Sequence, residues 1–169
     1  ILNPLNIFQS DIPVFEMLQD FTVIDQVQRI EEYKPSVFGL LEIPEINVNQ
    51  YVVSGTDDLS LQFGPGYYLG TNLPGSGGNV GIAGHRTTYG APFSQLDLVE
   101  IGDEILLTVG SNKYHYKVDE VEIVDAVSGS YVLYNRGDDR ITLTTCHPKY
   151  SARQRLVVSG ILHRIESGN

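Results

Sequence analysis

Three side chains of this 169-residue sequence have the chemistry that thiol-based acyl transfer requires. Cys146 is the only cysteine, so it forms no disulfide within the chain and is either a small buried side chain or a reactive thiol. His85 can exchange protons with a thiol, and Arg155 can donate hydrogen bonds to an oxyanion. Each residue alone also has an ordinary structural interpretation, as a core thiol, a hydrogen-bonded histidine or a surface ion-pair arginine. Their positions in the predicted secondary structure therefore carry the argument.

Cys146 is predicted to lie at the end of a β-strand. Side chains alternate along Arg140–Cys146, so Cys146 shares one face with Thr142 and Thr144. Pro148 then stops the strand, because proline donates no hydrogen bond to a continuing ladder. A thiol at this position opens into a loop, which suits a nucleophile better than a core side chain.

His85 and Arg155 are predicted at the ends of two further strands. A run of small and apolar residues, Asn79–Ala83, leads through Gly84 to His85. Arg155 opens the last strand nine residues after Cys146, and a loop of that length allows an antiparallel return beside the cysteine strand. The sequence thus predicts that a thiol, a proton-transfer group and an oxyanion donor meet at one edge of a sheet.

The elements that must position these residues are mostly short strands. Apolar runs broken by Gly, Pro, Asn and Asp predict strands at Val37–Ile43, Ile46–Val53, Asn79–Ala83, Glu104–Val109, Lys113–Val124, Arg140–Cys146 and Arg155–His163. Two short helices are predicted at Asp57–Gln62 and Phe93–Val99. Many short strands with few helices predict an all-β barrel or sandwich.

The N-terminal segment has a different pattern. Apolar residues recur every three or four positions from Val14 to Tyr33, which predicts a helix that Pro35 ends. We therefore expect a helical extension over residues 1–36 and one β domain over residues 37–169. The chain begins at Ile1 and contains no apolar stretch of about 18 residues, so we expect any membrane anchor to lie upstream.

The charge balance restricts the partners. Eleven basic residues against 21 acidic ones give a net charge of −10. Nucleic acids and anionic lipid surfaces bind clustered Lys and Arg, so neither is an expected partner.

A zinc site is the alternative use of Cys146, with His85 or His147 as further ligands. Structural zinc sites rarely depend on one cysteine, and the paired CxxC spacing is absent. We expect no metal ion or other cofactor.

Several segments together resemble the sortase family of cysteine transpeptidases. The Thr-rich strand Thr142–Cys146, followed by Arg155, is similar to the family's nucleophile signature, and Asn79–Arg86 is similar to its histidine motif. Further similar segments complete a match over Val37–His163, and these are Leu41–Val48, Gly64–Gly66 and Gly102–Ile105. The segments His85–Phe93 and Cys146–Arg155 resemble class E, the housekeeping type of actinobacteria.

The resemblance implies a closed eight-stranded β-barrel and a specific reaction. A sortase of this type is anchored at the extracellular face of the plasma membrane by an N-terminal segment. It cleaves a Leu-Ala-x-Thr-Gly-like sorting signal between Thr and Gly through a thioacyl-enzyme. It then transfers the surface protein to the amine of a cell-wall peptide precursor.

The resemblance also implies roles for five residues. Cys146 would be the nucleophile, His85 the general acid and base, and Arg155 the oxyanion partner. Thr145 would position the substrate, and Tyr89 would contact the second residue of the sorting signal. His147 stands where the family pattern has Thr.

Two other functions fit parts of the sequence. A pilin-polymerising sortase would share the chemistry, but such enzymes often carry an N-terminal lid with an Asp-Pro-Trp-like or Asp-Pro-Phe-like element. Asp11-Ile12-Pro13 is only loosely similar to that element, and the chain has no Trp. A non-catalytic peptide-binding β-barrel would have no reason to keep Cys146, His85 and Arg155 together.

Overall fold

A computed structural model of the chain describes residues 33–168. The predicted helix Val14–Tyr33 lies outside the described residues except for Tyr33, and most of the predicted extension over residues 1–36 lies outside them too. Both remain predictions.

Eight strands close into a barrel in the order β1-β2-β3-β4-β7-β8-β6-β5, with β5 hydrogen-bonded back to β1. Two neighbouring pairs, β2–β3 and β4–β7, are parallel, and the other pairs are antiparallel. The strands are β1 Val37–Ile43, β2 Val48–Ser54, β3 Gly66–Tyr67, β4 Asn79–Ala83, β5 Glu104–Val109, β6 Asn112–Asp125, β7 Arg140–His147 and β8 Gln154–Ser167. The prediction of an all-β, eight-stranded barrel is confirmed.

The structure differs from the predicted strands mainly at β2, β3 and β8, and β8 continues to Ser167, four residues past its predicted end at His163. β2 begins at Val48 instead of Ile46, because Pro44–Ile46 forms a 3-10 turn that Asn47 ends with φ of 54°. β3 was not predicted, since two residues are too few to show an alternating pattern. Glycine is required at Gly66, because a Cβ there would lie 2.1 Å from the carbonyl oxygen of Gly55.

The helical segments are shorter than predicted. Asp57–Gln62 contains only the 3-10 helix Ser60–Gln62, and Phe93–Val99 contains only the 3-10 helix Leu96–Leu98. A further 3-10 helix, Gly129–Leu133, lies between β6 and β7 and was not predicted. None of these segments shows a sustained helical repeat, which explains why their bounds were wrong.

The barrel interior is filled by apolar side chains from alternate strand positions. Ile141 and Leu143 of β7 are fully buried and lie on the face opposite Thr142 and Thr144. Each such side chain contributes about 1.5–3 kcal/mol through removal of apolar surface from water. Further members of the same core are Leu41, Val52, Val80, Ile82, Phe93, Ile105, Leu107, Tyr116 and Val158.

The opposite face of β7 is polar and covered. The hydroxyl of Thr142 donates to Oδ1 of Asn79 at 2.8 Å and lies 3.1 Å from the hydroxyl of Ser159. The side-chain amide of Asn79 donates from Nδ2 to the carbonyl of Val132 at 2.8 Å. These buried bonds attach the β6–β7 connection to the outside of β4 and β7, so the connection forms a wall along β7.

Arg140, at the beginning of β7, is a buried cation with two carboxylate partners. Its side chain is 4% exposed and lies 2.9 Å from Asp138 and 3.1 Å from Asp119. Hydrogen bonding from Arg140 holds the pKa of the Asp138 carboxyl below its usual range. A carboxylate with a lowered pKa stabilises the folded state above the unfolded-state pKa and loses that contribution as the pH falls.

We predict that Arg140→Gln lowers the free energy of unfolding by about 2 kcal/mol at pH 7. This is less than for a fully buried pair, because both carboxylates are about a third exposed. Urea denaturation of both proteins between pH 7 and pH 3 measures the effect. The difference should shrink as the pH falls below about 4, the ordinary pKa of an aspartate, because the contribution of the lowered pKa of Asp138 is lost there. A difference that does not change with pH would contradict this account.

Candidate active site

The ends of three neighbouring strands bring Cys146, His85 and Arg155 to one edge of the barrel. β4 and β7 are parallel, and their register ends with Ala83 opposite Thr144. Two residues beyond that pair, the segment after β4 reaches His85 and β7 reaches Cys146. β8 returns antiparallel to β7 and places Arg155 directly opposite Cys146. The structure thus assembles the three residues as the sequence predicted, and their catalytic roles are taken up as a proposal below.

Cys146 is a free, half-buried thiol near the end of β7. It follows the wholly buried segment Arg140–Thr145, and after His147 the chain becomes exposed. Burial on the strand side fixes the backbone of Cys146, while the loop side leaves the sulfur accessible. This placement suits a nucleophile that must meet a peptide carbonyl.

His85 follows β4 on a backbone that is held at both sides. The amide of Gly84 donates to the carbonyl of Thr144 at 3.0 Å, and the carbonyl of His85 accepts from the amide of Phe93 at 3.1 Å. Glycine is required at Gly84, because a Cβ there would lie 2.5 Å from the ring of Phe93. The loop therefore packs closely on a fully buried aromatic side chain, and His85 has a defined direction.

The imidazole of His85 keeps one nitrogen free of protein partners. Within residues 33–168, its Nε2 is buried and makes no hydrogen bond. A ring nitrogen without a fixed partner can accept a proton from, or give one to, a group that enters the site.

Arg155 is half-buried, and its guanidinium is engaged with its own loop. Nη1 donates to the carbonyls of Ala152 at 2.9 Å and Gln154 at 3.0 Å. A guanidinium carries five N–H donors, so Nε and Nη2 retain donors for a further acceptor. The loop carbonyls hold the arginine in place without using up its donors.

Two cavities meet at Cys146 and His85. One, of about 260 Å³, is lined by both residues together with Thr145 and Arg155. The other, of about 270 Å³, lies on the side of the loop residues Tyr150–Ala152. His85 and Cys146 are the two residues that line both of these cavities.

A third cavity, of about 200 Å³, continues the Arg155 side of the site. It shares Tyr68, Thr144 and Arg155 with the 260 Å³ cavity and runs under the β6–β7 connection, where Val132 and Leu133 line it. The hydroxyls of Tyr68 and Thr144 lie 2.8 Å apart. The two cavities together form a groove, partly apolar, that leads along β7 to the thiol.

Thr145 and Tyr89 have different environments. Thr145 is buried, and its hydroxyl donates to the carbonyl of Gly84 at 2.7 Å, while the residue also lines the 260 Å³ cavity. Tyr89 is 56% exposed, with its ring centroid 5.2 Å from that of His85. It lines neither of the two cavities that meet at Cys146. Contact of either residue with a substrate stays a prediction.

The sequence analysis did not single out Arg86, which the structure places beneath the site. Its side chain is 3% exposed, donates from Nη1 to the carbonyl of Cys146 at 3.1 Å and pairs through Nη2 with Asp97 at 3.0 Å. Nη1 also lies 3.4 Å from Nδ1 of His147. The histidine motif contains Arg86, but nothing in its spacing indicates that the side chain is buried.

Residues 33–168 contain no group of three or more His, Cys, Asp or Glu side chains arranged to hold a metal ion. No helix in this range has the length and apolar character needed to cross a membrane.

Comparison with known proteins bears on the identity of this barrel. The sortase domain family matches residues 41–163. Sortase D of Bacillus subtilis is 32% identical over 127 residues, which cover 73% of this chain and 63% of that protein. Sortase SrtE1 of Streptomyces coelicolor is 34% identical over 138 residues, which cover 73% of this chain and 39% of that protein.

A solved structure shows the same architecture. Sortase E1 from Streptomyces coelicolor with a tripeptide in the active site superposes with a TM-score of 0.72 at 28% identity, covering 78% of this chain and 91% of that one. The family match spans most of the chain and includes Cys146, His85 and Arg155. The chain belongs to the sortase family and is similar to its class E.

Proposed function

We propose that this chain is a cysteine transpeptidase that cleaves a sorting signal between Thr and Gly and transfers the upstream part to an amine. The observation that carries the proposal is the cross-strand pairing of Cys146 with Arg155 beside His85. The three side chains supply a nucleophile, an oxyanion donor and a proton carrier at one cavity.

The first step forms a thioacyl-enzyme. A free thiol has a pKa of about 8.5, so most of it is protonated at neutral pH. A cation at the site raises the fraction of the reactive thiolate. The Cys146 thiolate attacks the Thr carbonyl carbon and forms a C–S bond, and the carbonyl electron pair moves to oxygen. Arg155 donates hydrogen bonds to this oxyanion through the donors that its loop carbonyls leave free.

Collapse of the oxyanion breaks the C–N bond to glycine. Protonated His85 gives its proton to the leaving amine, which departs with the C-terminal part of the signal. The acyl part stays on Cys146 as a thioester, and His85 is left neutral.

The second step returns the enzyme to its starting form. An incoming amine attacks the thioester carbonyl, and neutral His85 accepts a proton from it. The C–S bond breaks, the new amide leaves, and Cys146 is a thiolate again. Among residues 33–168, no Asp, Glu or Asn side chain hydrogen-bonds to His85, so the arrangement differs from the Cys-His-Asn triad of papain-like proteases.

The two cavities suit the two substrates. The sorting peptide fits the groove that contains Arg155, because the oxyanion forms on the peptide carbonyl. The acyl group then fills that side, and the amine approaches from the cavity beside Tyr150–Ala152, which also reaches Cys146 and His85.

The finer assignments follow from the similarity to class E. The expected sorting signal is Leu-Ala-x-Thr-Gly-like, and the expected acceptor is the amine of a cell-wall peptide precursor. The expected location is the extracellular face of the plasma membrane, with an N-terminal anchor preceding the barrel. A tripeptide occupies the active site of the similar Streptomyces coelicolor sortase E1, which supports peptide binding at this edge.

We predict that Cys146→Ala abolishes transpeptidation. With a fluorogenic Leu-Ala-x-Thr-Gly peptide and hydroxylamine as acceptor, the rate should fall by about 1,000-fold or more, since no other thiol is present. Mass spectrometry of the hydroxamate identifies the transfer product. Equal thermal midpoints for the two proteins would show that the fold is intact. Turnover that survives in Cys146→Ala would end the proposal. It would also contradict a pilin-polymerising sortase, which needs the same thiol, and a binding barrel, which turns over no peptide.

We predict that Arg155→Gln lowers kcat by about 100- to 1,000-fold with little change in KM, because the donor acts on charge that develops after binding. Arg155→Lys should recover part of the loss, since it keeps the charge but not the planar fork. The matched control is Arg153→Gln, which removes an exposed arginine of the same loop and should leave kcat unchanged. Equal effects of the 153 and 155 variants would assign the losses to loop charge instead of to oxyanion binding.

We predict that Thr145→Val lowers the free energy of unfolding by about 1–2 kcal/mol, because the carbonyl of Gly84 loses its donor in a buried place. Since Gly84 precedes His85, kcat should fall by about tenfold or more. Thr145→Ser keeps the hydroxyl and should retain both stability and rate. A Ser variant as impaired as the Val variant would show that the methyl group, and not the hydrogen bond, is required.

A further inference from the structure

Arg86 joins three segments that determine where the reacting groups lie. Its backbone directly follows His85, its Nη1 donates to the carbonyl of Cys146 at 3.1 Å, and its Nη2 pairs with Asp97 on the 3-10 helix Leu96–Leu98 at 3.0 Å. The planar fork of a guanidinium makes both bonds at once, whereas an ammonium is a single point charge.

The burial of Arg86 shows that these bonds are specific. Its side chain is 3% exposed, and that of Asp97 is 44% exposed. A buried guanidinium is costly unless hydrogen bonds and an opposite charge compensate it. Nη1 and Nη2 of Arg86 have such partners, whereas its buried Nε makes no hydrogen bond within residues 33–168. The bond to the backbone of Cys146 therefore depends on the pairing with Asp97.

No regular strand pairing holds the two reacting residues against each other. The β4–β7 register ends at Ala83 and Thr144, before either residue. Beyond it, Gly84 bonds to Thr144 and Thr145, and Arg86 bonds to Cys146. Arg86 thus supplies the cross-connection at the level of the nucleophile itself.

We propose that Arg86 is a positioning residue, which clamps the carbonyl of Cys146 to the His85 loop and so sets the distance between the thiol and the imidazole. Within residues 33–168 it makes no hydrogen bond to the sulfur or to the ring of His85, and it lines the cavity beside Tyr150–Ala152. The inference rests on the proposed transpeptidase function. Its energetic logic is that of pre-organisation, in which small displacements of reacting groups cost much of the rate.

The test compares two buried arginines of the same barrel. Arg86 lies under the site, and Arg140 lies at the other end of β7, where it pairs with Asp119 and Asp138. Both are about equally buried, at 4% exposure. Substituting each by Gln in the full chain removes one buried cation, either the one that bonds to Cys146 at the end of β7 or the one at the beginning of β7.

We expect Arg86→Gln to lower kcat by about 10- to 100-fold while KM for the sorting peptide stays within about threefold. Arg140→Gln should lower stability but keep kcat close to that of the unchanged protein. Arg86→Lys should regain part of kcat, because lysine can reach one of the two partners. It also provides a second test if the Gln variant does not fold. Equal kcat values for the two Gln variants, at equal folded fraction, would overturn the proposal.

Amide hydrogen exchange gives a measurement that does not depend on turnover. The amide of Phe93 donates to the carbonyl of His85 and reports on the position of the loop. It should exchange faster in Arg86→Gln than in Arg140→Gln under native conditions. If the unchanged protein turned over no peptide, the proposed function would be refuted, but faster exchange at Phe93 in Arg86→Gln would still support the clamp. Unchanged exchange at Phe93 in Arg86→Gln would refute the clamp.

Discussion

Strands β4 and β7 run in the same direction. Five residue pairs join them, from Asn79 opposite Arg140 to Ala83 opposite Thr144. Parallel strands end at the same edge of a sheet, so the residues that follow them emerge side by side. β8, antiparallel to β7, begins at that edge and brings Arg155 opposite Cys146. A shift of one residue in either register would turn Arg155 or the thiol to the other face of the barrel. The site therefore depends on this three-strand pairing before it depends on any side chain.

Buried polar bonds keep that register on the outer face of β7. Asn79, Thr142 and Ser159 come from the three adjacent strands, and the hydroxyl of Thr142 bonds to both of the others. Apolar side chains on the same face would tolerate a slip more readily, because apolar contacts are not directional. The side-chain amide of Asn79 also bonds to Val132 of the β6–β7 connection, which forms one wall of the 200 Å³ cavity.

Two buried arginines stabilise the ends of β7 in different ways. Arg140 pairs with Asp119 and Asp138, so its bonds are between charged side chains. Arg86 uses one edge of its guanidinium for Asp97 and the other for the backbone carbonyl of Cys146. The first arrangement stabilises the strand, and the second connects the strand to the loop that carries His85.

The sequence by itself determined that the fold is all-β and predicted that Cys146, His85 and Arg155 meet at strand ends. Alternation along Arg140–Cys146 and the short apolar runs predict strands, because side-chain direction in a strand has a fixed period of two. Similarity to a known signature then implied the closed eight-stranded barrel and the roles of the three residues. The bounds of β2 and the strand β3 were missed, since Pro44–Asn47 turns locally and Gly66–Tyr67 is too short for a period.

Only the tertiary structure decided how these residues are held. Nothing in the sequence indicates that Arg86 is buried, that Thr145 bonds to Gly84, or that two cavities meet at Cys146. These features join residues about 60 positions apart. Local patterns report the period of one strand, whereas a contact between distant segments exists only once the barrel has closed.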